Sequence, residues 1–197
     1  MPRIVLVLET EEESGSPNLL HLLDMASEVI GTPDVCFCMD SGAFDYEQMW
    51  MTSSLRGIVI LDMTVQVGID GYHSGEVGGV VPETFRIVRT LLDRLDSSET
   101  GQVISDLNVE VPAWKEEECK EIVKLAGENL FKKYKIVDGA SWCNQTDPHK
   151  IYMQNTWEAN MSITGAGNLP PIESAGNVVR NKTSVRISMR LPPTQNA

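Results

Sequence analysis

The 197-residue chain carries 28 acidic against 16 basic side chains, a formal net charge of −12, with 42% apolar and 22% charged residues. Those proportions are those of a globular chain of one ordinary domain or two small ones, and the charge argues against nucleic acid and anionic membranes as partners. No apolar run approaches the roughly 20 residues that span a bilayer, and no secretory pattern opens the chain, so a cytoplasmic setting with reduced thiols at Cys36, Cys38, Cys119 and Cys143 is expected.

In chain order, Ile4 to Leu8 reads as a short buried parallel strand. Leu19 to Ile30 has helical apolar spacing, stopped by Gly31-Thr32-Pro33. Val35 to Met39 reads as a second strand, with Cys36 and Cys38 as small core residues on one face. Residues 3–39 are therefore β-α-β, a fragment of a doubly wound sheet. The pattern then changes. Leu55 to Val67 alternates and is rich in β-branched residues, a longer strand. Gly68 to Gly79 is a glycine-rich loop, and Val81 to Leu95 an amphipathic helix with Pro82 in its first turn. Residues 97–112 are irregular, and Glu116 to Tyr134 reads as one helix with acids first and lysines last, suiting the helix dipole. Ala140 to Lys150 reads as loop, Thr156 to Thr164 and Ser184 to Leu191 as strands, with turns between. The fold class expected is α+β: a ferredoxin-like domain, an antiparallel sheet with helices on one face, preceded by an α/β fragment.

The chemistry concentrates at strand ends. Glu11-Glu12-Glu13-Ser14-Gly15-Ser16 follows the first strand, and Asp40 ends the second. Carboxylates massed there repel one another unless a divalent cation or acid–base work employs them. A solvated acidic helix start, capped by Ser14, Ser16 or Asn18, is the plainer alternative, and a strand-end turn is the plainer role for Asp40. The acidic stretch lacks the alternating oxygen ligands and central glycine of a calcium loop. By chemistry alone the register among the three glutamates is open by one.

Four stretches in order resemble the dinuclear zinc peptidases typified by carnosine dipeptidase, aminoacylase and glutamate carboxypeptidase. They are Glu11 to Ser16; Met39-Asp40 with Leu55-Arg56-Gly57; Tyr72-His73-Ser74-Gly75 with Gly78-Gly79; and Ala175-Gly176-Asn177-Val178-Val179 with Ser188-Met189-Arg190-Leu191-Pro192. The resemblance implies that residues 1–51 are the end of a first catalytic half, 52–192 a lid or dimerisation domain, and 193–197 the start of the return. It implies hydrolysis of a small peptide or N-acyl amino acid by water activated at two zinc ions, in a homodimer. Glu12 then matches the general base, Glu13 and Asp40 match metal ligands, and His73 matches the lid histidine that stabilises an oxyanion. Arg190 matches the clamp on a substrate carboxylate, and Asn177 a pocket-lining residue. The family's remaining ligands would precede residue 1 and follow residue 197, so the chain alone is expected to be inactive. The alternative is a non-catalytic dimerisation module whose acids stay solvated. A loop histidine, a surface salt bridge and a turn asparagine are the plainer readings of His73, Arg190 and Asn177. Arg56, Trp114, Trp142 and Trp157 read as structural, and His21 and His149 as structural or surface residues.

Overall fold

The computed structural model describes residues 2–143 and 147–196, and the chain divides into two units, Met1–Gly42 and Ala43–Ala197. In the first unit, the two expected strands do not form as ladders. Residues 3–8 and 35–39 run without a paired strand among the described residues. A parallel strand is stable when flanking strands bond its edges and layers cover both faces. Here Ile4, Leu6 and Leu8 are 83%, 76% and 79% exposed, and Cys36 and Cys38 are exposed thiols rather than core residues. Residues 5–8 line an open groove with Leu19, Leu22, Leu23 and Val29. The expected helix is split into α1 (Leu19–Met25) and α2 (Ser27–Ile30), and Gly31 leaves it at φ 70°. Asn18 precedes α1 but does not cap it; its side chain turns back to Glu11. The Arg3 guanidinium bonds the carbonyls of Val29 and Ile30, groups that the helix end leaves without partners.

The second unit is built on β1 (Gly57–Gln66), β3 (Asn160–Gly167) and β5 (Lys182–Leu191), in spatial order β1-β5-β3 and antiparallel throughout. Alternation explains the register. Thr183, Val185, Ile187 and Met189 of β5 are buried and lie opposite Val65, Met63, Leu61 and Val59 of β1. The helix α4 (Thr84–Leu92) covers this face: Val88 packs with Val185, Ile187, Met63 and Val65, each fully buried aliphatic contributing about 1.5–3 kcal/mol. The Thr84 and Thr183 hydroxyls, both buried, bond at 2.8 Å and fix α4 to β5. Pro82 lies outside α4 rather than in its first turn, because Glu83 is the cap and accepts from the amides of Phe85 (2.8 Å) and Arg86 (2.6 Å).

Three further expectations are corrected. The single helix over 116–134 is two: α5 (Ala113–Ala126) and α6 (Asn129–Lys132), parted by Gly127 at φ 50°. The strand expected from Thr156 begins at Asn160, because α7 (Pro148–Thr156) occupies the residues before it. Asp147 caps α7 and Pro148 opens it, a start signal in a stretch read as loop; residues 144–146 of that stretch lie outside the described residues. α5, α6 and α7 pack chiefly on one another, around Cys119, Leu130, Phe131, Tyr152, Met153 and Trp157. Trp157 is core, with Trp114 edge-on to it at 5.7 Å, and Trp142 packs on Phe131. Arg56 anchors this layer, its guanidinium bonding the carbonyls of Gln154 (2.9 Å) and Glu158 (3.0 Å). The whole is α+β with antiparallel sheets.

Candidate functional site

The acidic element of the first unit is a tight turn. Glu12–Ser14 forms a 3-10 turn, closed by the Ser14 and Ser16 amides on the Glu11 carbonyl (2.9 and 3.0 Å). Gly15 and Ser16 both take positive φ, 84° and 51°. A side chain at Gly15 would meet no atom within 4 Å, so the glycine serves backbone conformation and not space. Glu11 is set apart from the other two glutamates by a partner of its own. The Glu11 carboxylate accepts from the Asn18 side-chain amide (2.9 and 3.1 Å). No side chain among the described residues bonds Glu12 or Glu13. Asp40, then Glu13, raises the proton affinity of Glu12 above the ordinary carboxylate value, with smaller contributions from burial and Glu9. Asp40 and Glu13 thus each lie within electrostatic reach of Glu12, and carboxylate oxygens are donors that hard cations and zinc accept. Among the described residues, no group of three or more His, Cys, Asp or Glu side chains is placed to hold a metal ion.

In the second unit, a two-stranded ladder carries two of the expected residues. β2 (Tyr72–His73) pairs with β4 (Val178–Val179), setting Tyr72 against Val179 and His73 against Val178. The Ser74 amide donates to the Asn177 carbonyl at 2.8 Å, so His73 and Asn177 are neighbours across the ladder. Gly71 makes this possible: a Cβ there would lie 2.8 Å from Val178 Cγ1. The loop read between 68 and 79 therefore contains β2 and a helical turn, α3 (Ser74–Val77). His73 caps that turn, its Nδ1 accepting from the Gly75 amide at 3.1 Å.

Arg190 stands on β5, on the face opposite α4, across from Ile58 and Asn160. The same alternation puts Arg186 on that face, but the two arginines differ. Asp62 grips Arg186 in a bidentate pair at 2.7 and 2.8 Å, and that bond holds the Asp62 carboxyl below its usual range. Arg190 has no carboxylate within salt-bridge distance among the described residues. Its neighbour in charge is another cation, Arg56, whose guanidinium is pushed down by burial and by Arg190. An exposed guanidinium with a like charge nearby and no counter-ion is suited to bind an anion. The sequence reading quoted Gly75 within the Tyr72-to-Gly75 motif but did not single out Gly71 or Asp62; for Gly71 the signal available was only its spacing, two residues before His73.

His149 and the acidic run 116–118 are structural. Glu116 pairs with His149 at 3.0 Å, Glu117 with Lys120 at 2.6 Å, and Glu118 with Lys115 at 3.0 Å. No helix among the described residues is long and apolar enough to cross a membrane.

No protein-family model matches the chain, and no curated protein matches it by sequence. Solved structures do. The di-peptidase Dug1p from Saccharomyces cerevisiae matches with TM-score 0.66 at 22% identity, over 96% of this chain and 39% of its own. Human carnosine dipeptidase 1 matches with TM-score 0.59 at 21% identity, over 95% and 40%. The M20 family metallo-carboxypeptidase Sso-CP2 from Sulfolobus solfataricus matches with TM-score 0.58 at 17% identity, over 92% and 47%. The chain spans less than half the length of each of these peptidases. The resemblance carried by four short motifs is thus met by the backbone: over this stretch the chain has the fold of the M20 metallopeptidases, as Dug1p, carnosine dipeptidase 1 and Sso-CP2 display it.

Proposed function

We propose that the chain is part of a zinc-dependent peptidase that cleaves a small peptide or N-acyl amino acid. In this reading residues 1–51 belong to the catalytic half, and 52–192 form a ferredoxin-like lid through which the protein pairs as a cytoplasmic homodimer. The observation that carries it is the set Glu12, Glu13 and Asp40. Glu12 feels the charge of both Asp40 and Glu13, all three exposed, at a turn whose other glutamate is separately bonded, and a cation would relieve that repulsion. The peptidase fold supplies the context.

Glu13 and Asp40 would hold zinc, with further ligands contributed from outside these residues. When bound, zinc supplies Lewis-acid polarisation of the scissile carbonyl and of the attacking water. Glu12 Oε takes the proton of that water and returns it to the leaving nitrogen. His73 donates a hydrogen bond to the oxyanion as it develops. Arg190 binds the substrate carboxylate, and Asn177, beside His73, lines the pocket.

The test is a three-variant comparison in the longer protein. His73→Ala should lower kcat by about a hundred- to a thousand-fold with little change in KM, as for loss of one oxyanion donor. Arg190→Ala should raise KM strongly for substrates with a free carboxylate and little for amidated ones. Glu12→Gln should abolish turnover. Retention of zinc-dependent hydrolysis at wild-type rate by Glu12→Gln, or by all three variants, refutes the assignment.

A further inference from the structure

His73 has two ring nitrogens, and only one carries the proton when the ring is neutral. An imidazole can donate to an oxyanion only from the protonated nitrogen, so an unfixed tautomer wastes part of the population. The structure supplies a fixing group two residues downstream. The Gly75 amide donates to Nδ1 at 3.1 Å, which makes Nδ1 the acceptor and leaves the proton on Nε2. Nε2 has no hydrogen-bond partner among the described residues, and His73 is exposed. The same glycine makes room for the ring. A Cβ at position 75 would lie 3.0 Å from His73 Cε1 and 3.1 Å from Nδ1, tighter than ordinary contact, and the imidazole would have to move. The backbone at this point is itself pinned: the Ser74 amide is held by the Asn177 carbonyl at 2.8 Å, and a Cβ at Gly78 would strike the Ser74 carbonyl at 2.5 Å.

We propose that Gly75 is the positioning residue of His73: its amide locks the Nε2–H tautomer and its missing side chain lets the ring lie over that amide. The residue acts through His73 and touches no substrate. The inference rests on the reading of His73 as an oxyanion donor only for its catalytic consequence; the tautomer and the ring position stand apart from it.

Two measurements separate these. The first is long-range 15N–1H correlation on the histidines of the 197-residue chain, with His73 assigned by its loss in His73→Gln. A fixed Nε2–H form is expected, Nδ1 resonating as an acceptor nitrogen, and Gly75→Ala should move His73 toward the averaged shifts of a free imidazole. A protonated Nδ1 in the wild type overturns the proposal, as does a His73 signal unchanged by Gly75→Ala. The second is turnover by the longer protein. There Gly75→Ala should lower kcat about 3- to 10-fold, less than the roughly 100-fold of a 1 Å misplacement because the ring need give only tenths of an ångström, and leave KM within a factor of about two. If His73→Ala proves fully active while the wild-type tautomer is fixed, the oxyanion reading fails and the lock survives. If His73→Ala is inactive and Gly75→Ala is not, the lock carries no catalytic weight and the positioning role is refuted.

Discussion

Replacing Glu118 with glutamine removes the carboxylate bonded to Lys115, a side chain that is 1% exposed. Glu118 accepts from Lys115 Nζ at 3.0 Å and from the Tyr152 hydroxyl at 2.5 Å, and the Lys115 ammonium also sits 4.7 Å from the Tyr152 ring. Removing one partner of a buried pair costs about 3–5 kcal/mol, mostly the charge left behind without compensation. Glu118 is itself 27% exposed, so water relieves part of that cost and a loss of about 3 kcal/mol is expected. That corresponds to a fall in Tm of about 6–12 °C for a chain of this size. Urea unfolding followed by the fluorescence of Trp157 and Trp114, which pack together in the same layer, reads it directly. Lys115→Met with Glu118→Leu, which removes both charges at similar volume, should recover most of the loss. The pH dependence has a definite sign. Burial pushes the Glu118 carboxyl up, but the hydrogen bonds from Tyr152 and Lys115 and the Lys115 charge outweigh it and hold it below the ordinary 4.5. A carboxyl depressed by folding stabilises fully above its unfolded value, and that stability is lost as pH falls through the folded value. The wild type's advantage over Glu118→Gln should be full above about pH 4.5 and shrink below it. A cost below about 1 kcal/mol at pH 7, or a double variant as unstable as the single, refutes the buried-pair argument.

Thiol reactivity gives an independent check on the same layer. Burial, and next the Glu116 charge, pushes the Cys119 thiol up to about 11, whereas Cys36, Cys38 and Cys143 are exposed. Iodoacetamide at pH 8 should therefore label those three and spare Cys119 until the chain is unfolded; mass spectrometry showing Cys119 labelled at a comparable rate would count against its burial. Amide exchange should rank the backbone by ladder membership: slowest in β5, bonded on both edges, and fastest in residues 3–8 and 35–39. Equal protection of these segments would mean that the first unit has found partners for its extended chain.

What the sequence determines here is local. Alternation marks β1 and β5 to within two residues at either end, because facing apolar and polar side chains to opposite sides of a pleated sheet needs no knowledge of the partner strand. Helical spacing marks α4, and the Glu-Ser-Gly-Ser and His-Ser-Gly stretches stand out as motifs because their hydrogen bonds close over two to five positions. The missed helix α7 was equally local; its Asp147-Pro148 start was written in a stretch whose loop-like composition hid it. Tertiary structure decides the rest. Residues 3–8 and 35–39 have strand composition but no ladder, since a parallel strand exists only through neighbours that these residues do not supply. Arg186 and Arg190 are the same residue type on the same face of the same strand. Only the fold distinguishes them, placing Asp62 against the first from 124 positions away and leaving the second without a carboxylate among the described residues. Sequence pattern fixes which way a side chain faces; whether that side chain is neutralised, buried or free to bind depends on contacts between segments far apart in the chain, which no local pattern encodes.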